Sequence, residues 1–232
     1  MIKNKYWLAR QTWEDLLFLH WTVDPEILKP FIPAPLELDT FDGKAWVGVV
    51  SYSATHNEAR KMRSIFSMKP FLELNVRTYV TYKGDSGVFF ITLDADSLLA
   101  VRGARLIAGL PYFYADMTLN KNDRILYKSM RTHKNEPRAG FQCAYEPVSK
   151  PFFSEPGTLE YFLTERYSLW KSRNGKAIKG PIDHEPWDLQ SASAEIYKNE
   201  LLDFLPADSL GEGPIAHYCR EKTVFFFRFE RP

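Results

Sequence analysis

The segment Glu73–Val80 alternates strictly between two kinds of side chain, and a period of two residues is the signature of a β-strand. One face of this strand carries Glu73, Asn75, Arg77 and Tyr79, and the other carries apolar residues and a threonine. Segments 46–53 and 88–94 are also rich in β-branched and aromatic residues. These runs restrict the chain to a mainly β fold.

Turn signals and short helices complete this prediction. Segment 83–87 turns the chain between two strands, and Asn174-Gly175 predicts a second hairpin between 167–171 and 177–182. Helices are predicted only over 24–31, 157–163 and 199–204, each with a capping residue or a terminating proline. No repeat or low-complexity linker interrupts the sequence, so we expect one domain over residues 1–232.

Charge and composition restrict the possible partners. The 232 residues include 30 basic and 29 acidic residues, and the densest basic stretch, 60–63, is interpreted as a solvated loop. This balance argues against nucleic acid or an anionic membrane as partner. No apolar run approaches the ~20 residues of a membrane helix, residues 1–10 lack a signal-peptide core, and two isolated cysteines suit a reducing compartment. We expect a cytoplasmic protein, and the sequence leaves open whether it is a monomer or a homo-oligomer.

Common catalytic and metal-binding motifs are missing from the sequence. It contains no G-x-G-x-x-G, no phosphate-binding loop and no G-x-S-x-G motif. The five histidines show no H-x-H or H-E-x-x-H spacing, and Asp94-Ala95-Asp96 is interpreted as a strand end rather than a calcium loop. We therefore expect neither a metal nor a cofactor.

Two groups of charged residues are candidates for a site. Glu73 and Arg77 lie roughly 13 Å apart along one strand face. If that face is turned inward they need partners or a ligand, and if it is turned outward they are ordinary surface charges. Arg102 and Arg105 would share one helix face, either as a carboxylate or phosphate clamp or as a structural pair neutralised by acids such as Asp94.

Several segments resemble, in order, the YqjF-like family of uncharacterised bacterial proteins: 20–25, 31–39, 45–50, 73–80, 93–97 and 109–112, with later matches at 184–187 and 217–218. The resemblance spans almost the whole chain. That family in turn is similar in fold to acetoacetate decarboxylase. The resemblance therefore implies a cone-shaped, antiparallel β-barrel with an internal, largely apolar cavity.

The resemblance also bears on the chemistry. Acetoacetate decarboxylases form a Schiff base with a lysine in a segment of the form G-R-E-L, a spacer, then P-K-K. The corresponding places here are 103–106 and 110–113, so Tyr112 and Phe113 replace the two lysines. Schiff-base decarboxylation is therefore not expected. Glu73 matches a carboxylate of the decarboxylase cavity, which favours an inward-facing position for Glu73 and Arg77.

Three functions follow from this reading. In the first, an enzyme without a covalent intermediate acts on a small organic acid or carbonyl compound, with Glu73 as general acid or base and Tyr112 as donor to an oxyanion. Arg77 or Arg105 would hold a carboxylate, and His20 and Trp187 are further candidates for substrate binding. The second is a non-catalytic protein that binds or senses a small ligand, and the third is a collapsed cavity with a structural polar network.

The tryptophans test the predicted arrangement of strands around a core. Trp21, Trp46 and Trp187 lie beside predicted strands or turns, and we expect at least two of them to be buried.

Overall fold

The computed structural model describes residues 6–60 and 67–232. Its strands are β1 (Ala9–Val23), β2 (Glu37–Leu38), β3 (Ala45–Ala59), β4 (Ser67–Met68), β5 (Phe71–Tyr82), β6 (Asp85–Ala95), β7 (Tyr112–Lys121), β8 (Ile125–Arg131), β9 (Gly140–Pro147), β10 (Ser168–Arg173), β11 (Lys176–Asp183), β12 (Gln190–Asn199) and β13 (Ile215–Phe226). The helices are α1 (Pro25–Leu28), which a 3₁₀ turn extends (Lys29–Phe31), α2 (Leu98–Gly103), which a π-helical turn extends (Ala104–Ala108), and α3 (Leu159–Thr164).

The strands form a closed ring. They pair in the order β6-β7-β8-β9-β12-β13-β1-β3-β5, and β5 pairs back onto β6. Strands β10 and β11 connect β6 to β13 on one side of the ring. The pairing is antiparallel except between β6 and β7 and between β6 and β10. The predicted mainly β fold is confirmed, with two parallel pairs within an otherwise antiparallel ring.

A β-bulge in β1 decides which of its side chains enter the ring. The register between β1 and β3 shifts between Glu14 and Leu17, and Asp15 has a φ of 52° at this point. Trp13 before the bulge and Phe18 after it both line the same cavity, although they are five positions apart. The hydroxyl of Tyr218 donates to Asp15 Oδ1 at 3.0 Å, which holds the bulge in place.

Both faces of the central strands are buried. One face of β1, β3 and β5 packs into the largest apolar cluster, which includes Leu19, Val49 and Leu74. The other face belongs to a cluster that includes Phe18 and Val50 and that borders the cavity. Trp21, Trp46 and Trp187 are all buried, as the sequence predicted.

The predicted hairpins and two of the three predicted helices are present. Lys83-Gly84 and Asn174-Gly175 form two-residue turns in which all four φ angles are positive, as type I′ hairpins require. The cap predicted for segment 24–31 is Asp24, whose side chain accepts from the backbone N–H of Glu26. The helix predicted in 157–163 is α3, capped by Thr158.

The predicted helix over 199–204 is wrong. This segment forms turns with i to i+3 hydrogen bonds, from Asp203 N to Glu200 O and from Leu205 N to Leu202 O. It has too few residues between the end of β12 and Pro206 for a stable helix, and its leucines pack into the largest apolar cluster instead.

Two further predictions concern the basic loop and the absence of membrane helices. Residues 61–63 of the predicted basic loop lie outside the described residues. Within the described residues, none of the helices has the length and the apolar character to cross a bilayer.

Candidate active site

A cavity of about 370 Å³ lies against the inner face of β1, β3, β5 and β6. Most of its lining is aromatic or aliphatic. The π-helical turn Ala104–Ala108 forms one wall of the cavity. Aromatic residues at the C-terminal end of β13 and beyond it form another. The volume is in the range of small-molecule sites.

The strand register orders the cavity floor into three rows. Tyr52 of β3 lies opposite Glu73 of β5 in the first row, and Val50 lies opposite Asn75 in the second. Gly48 lies opposite Arg77 in the third. Because side chains alternate along a strand, β5 presents residues 73, 75 and 77 to the cavity, and all three line it. The inward-facing alternative for this strand is therefore the one that the structure adopts.

Glu73 is the centre of a tyrosine cluster. Its side chain is 3% exposed. The Tyr52 hydroxyl donates to Oε1, the Tyr112 hydroxyl donates to Oε2 at 2.8 Å, and the Tyr127 hydroxyl donates to the backbone carbonyl at 2.9 Å. Removal from water raises the pKa of Glu73 to about 7, although the hydrogen bonds from Tyr52 and Tyr112 act in the opposite direction.

The same burial keeps the phenols protonated. The pKa values of Tyr52 and Tyr112 lie well above their usual value, because both hydroxyls are desolvated and lie beside the Glu73 carboxyl. Near neutral pH the cluster therefore combines a carboxyl that can gain or lose a proton with two phenols that stay protonated and can donate hydrogen bonds.

Arg77 provides a positive charge further along the floor. One guanidinium nitrogen donates to the carbonyl of Leu163 at 3.2 Å, and Nε is buried without a hydrogen-bond partner. No ion pair in the described chain involves Arg77. The neighbouring Arg166 also lines the cavity, but it pairs with Asp39 at 2.8 Å.

His20 lies behind the cavity wall rather than in it. The Tyr79 hydroxyl donates to Leu163 O at 2.8 Å, so His20 Nε2, which is 2.8 Å from the same hydroxyl, is the protonated nitrogen of the ring. Burial and the nearby Arg77 hold the pKa of His20 well below its usual value. His20 does not line the cavity in which it was expected to bind substrate, and its ring contacts Tyr79, which shares the Leu163 carbonyl with Arg77.

Gly48 makes room for this arrangement. A Cβ atom at position 48 would lie 2.9 Å from Cδ2 of the buried His20 ring and 3.5 Å from Cγ of Arg77. We expect Gly48→Ala to lower the free energy of unfolding by about 1–3 kcal/mol, because neither side chain has free space beside it. Chemical denaturation measures this loss. Gly103→Ala is the control, since no atom lies within 4 Å of a Cβ there, and an equal loss in both variants would contradict the close contact.

Trp187 lines the cavity as part of an aromatic wall. Its ring lies edge-on to Phe18 at a centroid distance of 5.3 Å and is roughly parallel to Trp13 at 6.3 Å. The indole N–H donates to Thr164 O at 2.9 Å, and the backbone N–H donates to Glu165 Oε1 at 3.0 Å. These bonds fix the ring, so Trp187 offers a rigid apolar surface to a ligand.

The structure places Arg102 and Arg105 at the surface, and neither lines the cavity. Arg105 donates to the backbone carbonyl of its neighbour Tyr112 at 2.8 Å. The two arginines flank the junction at Ala104 where α2 passes into the π-helical turn, so a clamp formed by them stays a prediction for the surface rather than for the cavity. Asp94, one of the acids expected to neutralise them, pairs with Arg131 instead.

Sequence reasoning missed Tyr52 and Lys171. The strand predicted over 46–53 includes Tyr52, but only the register with β5 places it opposite Glu73. Lys171 of β10 donates to the carbonyl of Ala108 and lies beside Gly109, so a lysine does pack against the segment in which none was expected. Burial and the nearby Arg173 lower the pKa of Lys171, but its side chain is not part of the described cavity lining.

A second, wider cleft of about 770 Å³ is lined by many charged residues. Its two cations already have partners within the cleft, because Arg166 pairs with Asp39 and Lys179 pairs with Asp85. The described residues contain no group of three or more histidine, cysteine, aspartate or glutamate side chains arranged for a metal. The smaller cavity is therefore the better candidate site.

Comparison with solved structures shows the same fold. An acetoacetate decarboxylase-like enzyme from Sphingomonas wittichii matches with a TM-score of 0.66 and 12% identity, over 98% of this chain and 94% of that one. The acetoacetate decarboxylase of Legionella pneumophila matches with a TM-score of 0.61 and 14% identity, over 99% and 93%. The enduracididine biosynthesis enzyme MppR complexed with pyruvate matches with a TM-score of 0.64 and 9% identity, over 99% and 91%.

Sequence comparison identifies much closer relatives. The uncharacterized protein YqjF of Bacillus subtilis is 46% identical over 227 residues, which cover 97% of this chain and 93% of that protein. The model of the DUF2071 family, described as an uncharacterized conserved protein, matches residues 10–223. The chain therefore belongs to the DUF2071 family of uncharacterized conserved proteins.

Proposed function

We propose that this protein is an enzyme that moves a proton at a carbon next to the carbonyl group of a small organic acid or carbonyl compound. No covalent intermediate is involved. The observation that carries this proposal is the carboxyl of Glu73, which is buried in a largely apolar cavity with two phenol donors and a pKa near neutrality. A general base works best when its pKa lies near the working pH.

The proposed step balances within these residues. Ionised Glu73 removes the proton from the carbon, and the C–H electron pair moves onto the carbonyl oxygen as an enolate. Once Glu73 carries the proton, its carboxyl accepts fewer hydrogen bonds, which frees the Tyr112 hydroxyl to donate to the enolate oxygen. Return of the proton completes an isomerisation or exchange, while Arg77 holds a carboxylate of the substrate.

The comparisons support the substrate class. Structures that share the fold include acetoacetate decarboxylases and an MppR complex with pyruvate, all of which are named for small carbonyl acids. A specific observation also favours the alternative of a non-catalytic binding protein. Arg77 lines the cavity and takes part in no ion pair of the described chain, and neutralising its charge needs an anionic ligand but no reaction.

Deuterium exchange distinguishes the two functions. The protein is incubated in deuterium oxide with pyruvate, 4-oxopentanoate or 8-oxononanoate, and proton NMR follows the loss of the C–H signals next to the ketone. We expect faster exchange than in buffer for at least one of these acids. Saturable binding without exchange of any probe would instead support the binding protein.

A trapping experiment tests the absence of Schiff-base chemistry. Tyr112 cannot form an imine, and the described cavity lining contains no lysine. We therefore expect the intact protein mass to stay unchanged after incubation with acetoacetate and borohydride. A stable adduct, above all on Lys171, would contradict the proposed mechanism.

A further inference from the structure

Strand β5 arranges three polar groups in a line along the cavity floor: Glu73, Asn75 and Arg77. We propose that the two ends of this line select an extended monocarboxylate that carries a ketone at its far end. The inference rests on the proposed function for the position of the ketone, which is placed beside Glu73.

The Arg77 end of the cavity accepts the anion. Glu73 is the only acid in the described cavity lining, and it lies roughly 13 Å away along the strand. The charge of Arg166 is already neutralised by Asp39. Arg77 is thus a cation on the cavity surface without an acid partner in the described chain, and its planar group suits a carboxylate.

The middle of the cavity floor is mostly apolar. Phe18 and Val50, the side chains in the same row as Asn75, favour an apolar chain between the two ends of the ligand.

The spacing sets the length of the ligand. Glu73 and Arg77 are roughly 13 Å apart along β5. Because both side chains lean into the cavity, a ligand that bridges them spans a shorter distance, on the order of 10 Å. An extended chain covers ~3.3–3.6 Å for every three bonds, which corresponds to roughly nine bonds. Pyruvate and acetoacetate are too short to contact Arg77 and the Glu73 cluster together.

The anion position is tested by binding, followed through the fluorescence of Trp13 and Trp187 in the cavity wall. We expect 8-oxononanoate to bind at least tenfold more tightly than its methyl ester, and Arg77→Met to remove this difference. The ester comparison uses the unmodified protein, so it remains informative if the variant folds poorly. Equal affinities for acid and ester in the unmodified protein would overturn the anion position.

The length of the ligand is tested with Tyr112→Phe below the pKa of Glu73, where the carboxyl is protonated and the Tyr112 hydroxyl is free to donate to the ketone. We expect this variant to weaken the binding of 8-oxononanoate several-fold and to leave 4-oxopentanoate unchanged, because only the longer acid contacts both ends. Equal weakening of both acids would overturn the bridging geometry.

The binding measurements test the ligand class, whereas deuterium exchange tests the proposed proton transfer, so either result can fail without the other. The full binding pattern without deuterium exchange would support this ligand class and overturn the proton transfer. Exchange of short acids without any of these binding differences would overturn the ligand class and leave the proton transfer intact.

Discussion

Replacing Glu73 with glutamine is expected to lower the rate of deuterium exchange into the best oxo acid by at least about 100-fold, the usual minimum contribution of a general acid or base. Glutamine has nearly the same shape as the neutral carboxyl, and its amide oxygen can still accept a hydrogen bond from one of the two phenols, while its NH2 group can donate to the oxygen of the other. It cannot take up a proton from carbon. Exchange followed by proton NMR at neutral pH measures the loss.

Two comparisons make this result specific. Glu195→Gln changes a surface glutamate of β12 that pairs with Arg124 outside the cavity, and it should exchange at the parental rate. A Glu73→Gln protein with full activity, or a Glu195→Gln protein with the same loss, would contradict the assignment of Glu73.

The folding stability of the Glu73→Gln variant should also differ from that of the parent in a defined pH range. Because burial raises the pKa of Glu73 in the folded state, its stabilising contribution is complete below the usual value of 4.5 and is lost as the pH rises through about 7. Glutamine stays neutral throughout. The variant is therefore expected to gain stability relative to the parent between about pH 5 and pH 8.

Asp94→Asn is expected to lower the free energy of unfolding by about 3–5 kcal/mol, the usual result of removing one partner of a buried ion pair. Asp94 is completely buried and forms two hydrogen bonds with Arg131, at 2.7 and 3.0 Å. The substitution leaves the guanidinium charge of Arg131 in the interior without its counter-ion. Asp94 also lies opposite Phe113 in the parallel pair of β6 and β7. The loss of stability is therefore expected to include β7, the strand that carries Tyr112.

Urea denaturation measures this effect, and a surface pair provides the control. Asp85 pairs with Lys179 at the surface, and Asp85→Asn is expected to change the stability by less than about 1 kcal/mol. If Asp94→Asn were as mild as Asp85→Asn, the buried pair would not stabilise the contact between β6 and β7.

Much of the fold could be predicted because its signals are local. The alternation over 73–80 and the Asn174-Gly175 turn depend only on neighbouring residues, and both are correct. The helix predicted over 199–204 failed because a local pattern does not show that its leucines pack into the main core. The pattern around Arg105 likewise did not show that this residue lies at the surface and outside the cavity.

The site was only partly accessible from the sequence. Alternation placed Glu73, Asn75 and Arg77 on one face, but it left open whether that face was inside, and the family resemblance was needed to favour the cavity. Tyr52 depends on the register between β3 and β5, and Lys171 reaches the π-helical turn from a strand more than 60 residues away. Neither contact follows from residue spacing.

The protonation of Glu73 is the central claim, and carbon-13 NMR of protein labelled at the glutamate side-chain carboxyl measures it directly. The signal that is missing from the Glu73→Gln spectrum identifies the residue, and its chemical shift is followed from pH 4 to pH 9. Burial beside Tyr52 and Tyr112 predicts a midpoint near pH 7. A midpoint near the usual value of 4.5 would show that this carboxyl is an ordinary solvated acid, and the proposed proton transfer would lose its basis.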